Sequence, residues 1–519
     1  MLIIKRRLVN LFASGLIGNS QDVDTALANI ARCAINTENL EEFLWFEGSD
    51  DRWCRSTKFL NQHCVSGMPK FASAARKSNL PGVGFSAATL AMMPVCAVAY
   101  MLVLLPFIPR DGNERPANML AWPVAAALTL VLLFSNWAKI DYRFFRSLPI
   151  ISLIAYFVFA AASVTWAYSP DFAFTRLLVE MLAFIVVVVP FALPEHSKHT
   201  IPGLLLCYAV ALAINAGFVL TTPASAIGHP GYFDHKQELG QFAAISIILF
   251  SYALLYRDWR SLVAVIAIGV GFWLVFASES KAALALALLA IAGSWLILLI
   301  CKKTRLTPAY IVAAVVVASM FVHDPIERLG YRLYGDSTLT GRTGIWAFAN
   351  YRISERPWLG WGFHSYYFVP NSPQNEAPGY IRDMPSSHNG YLELKLETGR
   401  IGYWIFLLFI YSSLHLLEHV RRKDPTRAWC FLSIELFALL DNLLDSGWLT
   451  LTDFWLLYLI VVAESVRDSL PTRGRPLRLR SERRFGQSLL GRADAAQASH
   501  AVPPASASSA DVSDRPIGC

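Results

Sequence analysis

Long apolar runs dominate this chain and determine its fold class. Its 519 residues are 55% hydrophobic and 16% charged, with a mean hydropathy of +0.42, whereas soluble domains carry about 25% charged residues. A helix needs about 17 to 25 apolar residues to cross ~30 Å of hydrocarbon. About twelve runs of that length predict an all-α, polytopic membrane protein, with spans near 85–108, 118–137, 148–168, 172–194, 200–222, 238–256, 260–278, 281–301, 308–324, 399–420, 428–446 and 449–465.

Basic residues in the short loops predict the orientation, because Lys and Arg are retained on the cytoplasmic side of a membrane. The basic loops lie around 139–146, 198, 257–260, 302–305 and 421–427. The alternate short loops hold few basic residues, namely Arg110, Arg115, Lys236 and Lys281. The sequence therefore predicts a multi-pass protein of the bacterial inner membrane with both termini in the cytoplasm. Segment 336–402 would face outward, into the periplasm of a Gram-negative cell.

The formal net charge of +7 does not indicate a nucleic-acid partner. The cations lie mainly in loops next to the membrane, where anionic lipid headgroups attract them. Membrane lipids are therefore the expected partners of this charge, and no nucleic acid is expected.

Three regions are predicted from the distribution of apolar runs. Residues 1–84 are polar and are interpreted as a cytoplasmic extension, or as sequence upstream of the true start; they do not resemble a signal peptide. Residues 85–465 form the transmembrane domain, with a periplasmic loop at 325–398. Residues 466–519 are a basic tail that is predicted to be disordered and cytoplasmic. Cys54, His63 and Cys64 lack the spacing of a zinc site, and no metal is expected.

Ionisable side chains recur at the outward ends of the predicted spans. They are Arg176, Glu180, His235, Lys236, Lys281, Asp441, Asp445 and Asp453. Each costs ~2.5–3.5 kcal/mol inside a bilayer, so such residues usually face a cavity, a partner or a substrate. Together with Arg342, the cations Arg176, Lys236 and Lys281 are predicted to meet one anionic group.

Several of these residues also have a purely structural explanation. Arg176 and Glu180 are four residues apart and can form an intrahelical ion pair, and the Lys281 side chain can extend to the membrane interface. The three aspartates can hydrogen-bond between neighbouring spans. The sequence leaves both explanations open, although several cations at one depth favour a function.

Two short helices are predicted in the outward loop. A helical period of apolar residues predicts the first over 343–355, with Trp346 suited to the membrane interface. The second is predicted over 389–397, with Gly399 as its C-terminal cap. His388 and Asn389 would then lie at an N-terminus whose N–H groups and dipole favour an anion. We therefore predict a functional role for His388, although a lone histidine is more often structural.

The loop motifs resemble those of a known superfamily. They read GRTGIW at 341–346, RPWLGWG at 356–362 and HNGYLE at 388–393, followed by Gly399 and Gly402. This order is similar to the large periplasmic loop of the O-antigen ligase and polymerase superfamily, and most similar to exopolysaccharide polymerases of the succinoglycan type. The His235-Lys236 pair and the WAYSP segment at 166–170 also resemble family elements. The resemblance covers roughly 85–465.

The resemblance implies a membrane fold of the GT-C type and a polysaccharide polymerase. Such an enzyme transfers glycan repeat units from undecaprenyl diphosphate to an acceptor glycan by inverting, metal-independent glycosyl transfer, without a cofactor. Arg342 matches the family's loop arginine and His388 its essential histidine, and both are predicted to be catalytic. Lys236, Lys281, Arg176 and His235 are predicted to bind the diphosphate. Lys281 stands where many members have arginine.

Two other functions remain compatible with the sequence. An O-antigen ligase, which transfers finished polymer to lipid A core or to protein, would share the site and differ in its acceptor. A transporter or flippase of lipid-linked sugars would also have many spans, although such proteins more often show paired halves. The expected partners are the undecaprenyl-diphosphate-linked oligosaccharide, membrane lipids, and chain-length regulator and export proteins.

Overall fold

A computed structural model describes residues 82–108, 116–193, 200–225, 228–255, 259–320, 342–367, 369 and 372–471. Predictions for residues 1–81 and for the tail after 471 lie outside these residues, as does Gly341 of the GRTGIW motif. Within the described ranges the regular elements are helices. They are α1 Gly82–Ala99, α2 Pro116–Ser135, α3 Leu148–Ser163, α4 Pro170–Val187, α5 Thr200–Thr221, α6 Lys236–Ala253, α7 Trp259–Ala277, α8 Lys281–Thr304, α9 Pro308–Met320, α10 Arg342–Glu355, α11 Gly390–Lys423, α12 Pro425–Asp441 and α13 Asp453–Ser469.

The predicted all-α, polytopic fold is confirmed. Each of the twelve apolar runs coincides with one of these helices, and α10 is the helix predicted in the loop. Within the described residues, seven helices are long and apolar enough to cross a membrane, and shorter apolar helices lie at Ser261–Ala277 and Pro308–Ala318. The seven are Ala87–Phe107, Ala117–Ser135, Leu148–Trp166, Pro170–Ala192, Thr200–Thr221, Lys281–Thr304 and Gly390–Lys423.

Helices α6 and α13 lie at the centre of the bundle. Every residue from Phe454 to Val466 is buried, and α6 is buried almost continuously from Leu239 to Phe250. A helix that is apolar on all sides belongs in such an interior. In contrast, α2 and α8 expose large apolar side chains such as Phe134 and Trp295, as expected of a surface that contacts lipid.

Helix α11 is broken at Gly399. This residue has φ +64° and ψ −165°, a conformation that is essentially restricted to glycine. The break divides α11 into a short segment in the loop, from Gly390 to Thr398, and a longer segment that continues from Arg400 to Lys423. The sequence prediction of a helix over 389–397 that ends at Gly399 is therefore confirmed.

The RPWLGWG segment pairs with the backbone groups that this break leaves free. The N–H of Arg400 donates to the Pro357 carbonyl at 2.9 Å and that of Ile401 to the Trp358 carbonyl at 3.3 Å. In return, the Trp361 and Gly362 N–H groups donate to the Leu396 and Glu397 carbonyls at 2.9 and 2.8 Å. Because unpaired backbone groups are costly away from water, this exchange stabilises the break.

The WAYSP segment packs on the other side of the same loop. An ideal Cβ on Gly362 would lie 2.4 Å from the Ala167 Cα, so the two backbones approach too closely for any side chain. The Tyr168 N–H donates to the Trp361 carbonyl at 3.3 Å, and the Ser169 N–H donates to the Ser365 hydroxyl at 2.6 Å. Three separate motifs thus meet in one structure, the loop joint, formed by residues 163–169, 357–365 and 396–401.

We predict that Gly399→Ala destabilises the protein by about 1–3 kcal/mol or more, because alanine is strained at this backbone conformation. Its Cβ would also lie 2.3 Å from the Trp358 carbonyl. The apparent melting temperature of the detergent-purified variant should fall clearly below that of the wild type. Gly217→Ala is the control, since a Cβ at this α5 residue meets nothing within 4 Å. Equal melting temperatures for the two variants would contradict the account of the joint.

Candidate functional site

His388 directly precedes α11 and has a left-handed backbone, with φ +47°. The next residue, Asn389, is the N-cap of the helix: its side-chain oxygen accepts from the Tyr391 and Leu392 N–H groups, both at 3.1 Å. The Gly390 N–H donates to the Asn442 and Asp445 carbonyls, both at 2.9 Å. The first N–H groups of α11 are therefore already paired within the protein. The anion at this terminus stays a prediction, and it would compete with these protein acceptors.

The His388 ring faces a carboxylate instead. Its Nδ1 lies 3.7 Å from Asp445 Oδ1, is buried, and makes no hydrogen bond. Asp445 lies in the turn that follows α12, and its Oδ2 accepts from the Gln241 side chain of α6 at 3.1 Å. The same Gln241 amide donates to Asp441 Oδ2 at 2.9 Å. This pair of bonds ties the end of α12 to the central helix α6.

Arg342, the first residue of α10, joins the same group. Its guanidinium donates to the Leu444 carbonyl, two residues before Ser446 in the turn after α12. Burial lowers the pKa of Arg342, and the charges of Asp445 and Asp441 oppose that shift. We call Gln241, Arg342, His388, Asp441 and Asp445 the loop-side cluster.

Trp346 connects α10 to the His388 segment. Its indole N–H donates to the Ser387 carbonyl at 3.1 Å, and the side chain is half-buried. The sequence suggested this tryptophan for the membrane interface; within the structure it ties the helix that carries Arg342 to the segment that carries His388. The two predicted catalytic residues are therefore held in one local framework.

Asp445 is ionised in this framework. Burial raises the pKa of its carboxyl, but the interaction with His388, the Ser446 backbone N–H and the charge of Arg342 together lower it further than burial raises it. The net pKa lies below the usual range for an aspartate. Arg342 and His388 thus both lower the pKa of one carboxylate, which lies 3.7 Å from His388 Nδ1.

The other predicted cations lie at the starts of two neighbouring helices. Lys236 begins α6 and Lys281 begins α8, and an ideal Cβ on Gly240 of α6 would lie 2.4 Å from the Ser280 Cβ. His235 is the exposed residue that precedes α6, and Lys281 is also exposed. Gln241 lies five residues beyond Lys236 on the same helix, so α6 connects the lysine end to the loop-side cluster.

A cavity of about 390 Å³ opens next to the loop-side cluster. Among the six predicted site residues, Arg176 is the one that lines it, together with Gln241, Ser386 and Ser446. Five carboxyl side chains also line it: Glu180, Glu238, Glu393, Glu397 and Asp453. We call this space the loop-side cavity. Its wall is far more acidic than the sequence predicted.

The carboxyl groups of the cavity also bond between helices. Glu180 Oε2 accepts from the Trp455 indole at 3.1 Å, and Asp453 Oδ2 accepts from the Tyr208 hydroxyl at 3.2 Å. Arg176 lies over the Phe172 ring, 5.2 Å from its centroid. These carboxyl groups therefore join neighbouring helices, as the structural explanation expected, and also line the cavity. Within residues 82–471 that the structure describes, no group of three or more His, Cys, Asp or Glu side chains has a geometry suited to a metal ion.

Sequence reasoning missed two residues of the cavity, His364 and Glu397. His364 Nδ1 lies 3.7 Å from Glu397 Oε1, and its Nε2 lies 2.9 Å from the Leu449 carbonyl. Since a carbonyl only accepts, Nε2 carries the hydrogen. Burial, with a contribution from the charge of Arg176, lowers the pKa of His364 to about 4. The ring is therefore neutral at pH 7, and Nδ1 carries a lone pair that faces Glu397.

A sequence signal for both residues existed. His364 lies two residues after Gly362 in the RPWLGWG motif, and Glu397 lies two residues before Gly399. Ionisable residues beside a predicted break in a spanning helix are candidates for a site. The backbone of His364 is also left-handed, with φ +45°, like that of His388 and of the cavity residues Leu449 and Leu451. Such strain concentrates at functional sites.

The lowered pKa of His364 predicts a dependence of stability on pH. Between pH 6.5 and about 4 the unfolded chain binds a proton at this histidine and the folded protein does not. The free energy of unfolding therefore falls as the pH falls, by up to about 1.4 kcal/mol per pH unit from this residue. We expect the melting temperature of His364→Asn to fall less between pH 7 and pH 5 than that of the wild type. Parallel curves would contradict the assignment.

Comparisons with known proteins support the resemblance read from the loop. Residues 264–407 match the family model described as O-antigen ligase. This range includes Arg342 and His388. The chain is 28% identical over 126 residues to a protein named putative polysaccharide ligase from Rickettsia typhi and 29% identical over 125 residues to its namesake from Rickettsia felis. Each alignment covers 23% of this chain and 31% of the relative, so the chain spans about a third of the length of these relatives. Over residues 264–407 the chain is therefore similar to the O-antigen ligase family.

Proposed function

We propose that this protein is a polysaccharide polymerase of the bacterial inner membrane, with both termini in the cytoplasm. It transfers glycan repeat units from undecaprenyl diphosphate onto an acceptor glycan by inverting, metal-independent glycosyl transfer. One observation carries the proposal: Arg342 and His388, from two separate loop segments, meet at the same turn after α12 beside a cavity, Arg342 through the Leu444 carbonyl and His388 next to the Asp445 carboxylate. The family supports a membrane enzyme that handles polysaccharide, and the polymerase activity is our extension of it.

The leaving group explains why cations suit this reaction. A diphosphate already carries its negative charge when it departs, so fixed positive groups can stabilise it without a metal or a general acid. The guanidinium of Arg342 offers two parallel N–H donors for phosphate oxygens. His388 would contact the diphosphate or activate the acceptor. We assign Lys236, Lys281, Arg176 and His235 to the same diphosphate, with Lys281 acting as a point charge because lysine lacks the planar fork.

A second candidate is a ligase that transfers finished polymer to lipid A core or to protein. The names of the Rickettsia relatives favour it. Ligase and polymerase would share donor, leaving group and catalytic residues, and would differ in the acceptor alone. The choice between them is therefore a question of acceptor, which is settled by the products.

We predict that Arg342→Ala and His388→Ala each abolish polymer formation in cells while the protein remains inserted in the membrane. The lipid-linked repeat unit should accumulate, because its transfer is blocked and its synthesis is not. Arg382→Ala is the matched control, since Arg382 is an exposed arginine of the same loop. Normal polymer in the His388 or Arg342 variant would refute the proposed site. Precursor trapped on the cytoplasmic face would indicate transport instead.

Turnover in vitro separates the two enzymes. We expect purified protein, supplied with lipid-linked repeat units in the presence of EDTA, to produce a ladder of growing chains on a gel. A single transfer to added lipid A core would support the ligase. A requirement for a divalent cation would contradict the metal-independent reaction, and failure to transfer to either acceptor would contradict glycosyl transfer.

A further inference from the structure

The loop-side cavity contains polar groups that have no role in the proposed binding of the diphosphate. Its volume of about 390 Å³ lies within the ~300–1,000 Å³ of small-molecule sites. Apart from Arg176, its ionisable lining within the described residues consists of carboxyl groups. Its remaining wall includes the aromatic residues Phe172, Phe233 and Tyr367. Carboxyl oxygens that accept from hydroxyl groups, next to aromatic faces, suit a sugar without negative charge.

His364 and Glu397 stand in this wall as a pair. Nδ1 of His364 faces Glu397 Oε1 at 3.7 Å, and the bond from Nε2 to the Leu449 carbonyl fixes the ring. This is the arrangement of a base oriented by a hydrogen bond on its far side. The loop joint holds both residues: the carbonyl of Glu397 accepts from Gly362, two residues before His364.

The cavity also adjoins the proposed diphosphate site. Ser386 and Glu393 line it, and the Ser386 hydroxyl accepts from the His388 backbone N–H at 3.2 Å. A sugar in the cavity would therefore lie next to a donor held by His388 and Arg342. The two substrates of a glycosyl transfer need such adjacent sites.

We propose that the loop-side cavity binds the acceptor as a neutral, hydroxyl-rich sugar, and that His364, supported by Glu397, takes the proton from the attacking hydroxyl. This inference rests on the proposed function. The acceptor O–H bond breaks and its proton moves to His364 Nδ1. The oxygen forms a bond to the anomeric carbon of the donor, and the bond from that carbon to the diphosphate breaks. The electron pair leaves with undecaprenyl diphosphate, and the proton remains on His364 Nδ1, 3.7 Å from Glu397 Oε1.

The test compares transfer with donor-site binding in the purified full-length protein. His364→Asn is chosen because asparagine tolerates a left-handed backbone, and Glu397→Gln because it keeps the size of the side chain. We expect the rate of transfer to fall about 10²–10⁴-fold in each variant. Binding of undecaprenyl diphosphate, measured by tryptophan fluorescence, should change less than about twofold. His419→Gln is the control, an exposed histidine of the spanning segment of α11, and should transfer normally.

The outcomes separate this inference from the function on which it rests. If the wild type and both variants transfer at the same rate, His364 is not the base that activates the acceptor. The proposed polymerase function would stand. Loss of undecaprenyl diphosphate binding along with transfer would show that the pair is merely structural. A wild type that transfers nothing would defeat the proposed function itself. If acceptor oligosaccharides that end in a neutral sugar and in a uronic acid are used equally well, the cavity does not select a neutral sugar, and that part of the proposal is wrong.

Discussion

The exchange of backbone hydrogen bonds at the Gly399 break is the constraint on which the rest of the structure depends. Because the helix breaks, its loop segment turns, and the RPWLGWG segment pairs with the groups that are left free. The same segment contacts 166–169. One joint therefore fixes the loop, the helix that carries His388 at its start, and His364 and Glu397.

Charge compensation is the second theme of the site. Arg342 and His388 do not lie in an open positive pocket. The Leu444 carbonyl accepts from Arg342, and the Asp445 carboxylate, held by Gln241, lies 3.7 Å from His388 Nδ1. In the proposed function an incoming diphosphate competes with the Leu444 carbonyl for the guanidinium and with Asp445 for His388. Such an arrangement keeps both side chains in place before the substrate arrives, which lowers the reorganisation needed on binding.

The sequence predicted the elements of this fold better than their contacts. Apolar runs revealed the spans, and Gly399 marked the break, because both signals are local. The same reasoning did not foresee that Asn389, Asn442 and Asp445 would pair with the N–H groups of the helix terminus. It also missed His364 and Glu397. These two residues stand out because they lie 3.7 Å apart although they belong to separate segments. A single sequence does not reveal which distant residues approach each other. Lys236 and Lys281 remain predictions, supported by the adjoining starts of α6 and α8.

The central claim is that the loop-side cluster holds a diphosphate. A cryo-EM structure of the full-length protein in a lipid nanodisc with bound undecaprenyl diphosphate tests it most directly. The account predicts phosphate density within hydrogen-bonding distance of Arg342 and His388, with the Asp445 carboxylate displaced from them and the lipid chain leading into the bilayer. Density at the opposite end of the bundle, among the arginines around 421–427, with an unchanged loop-side cluster, would contradict it.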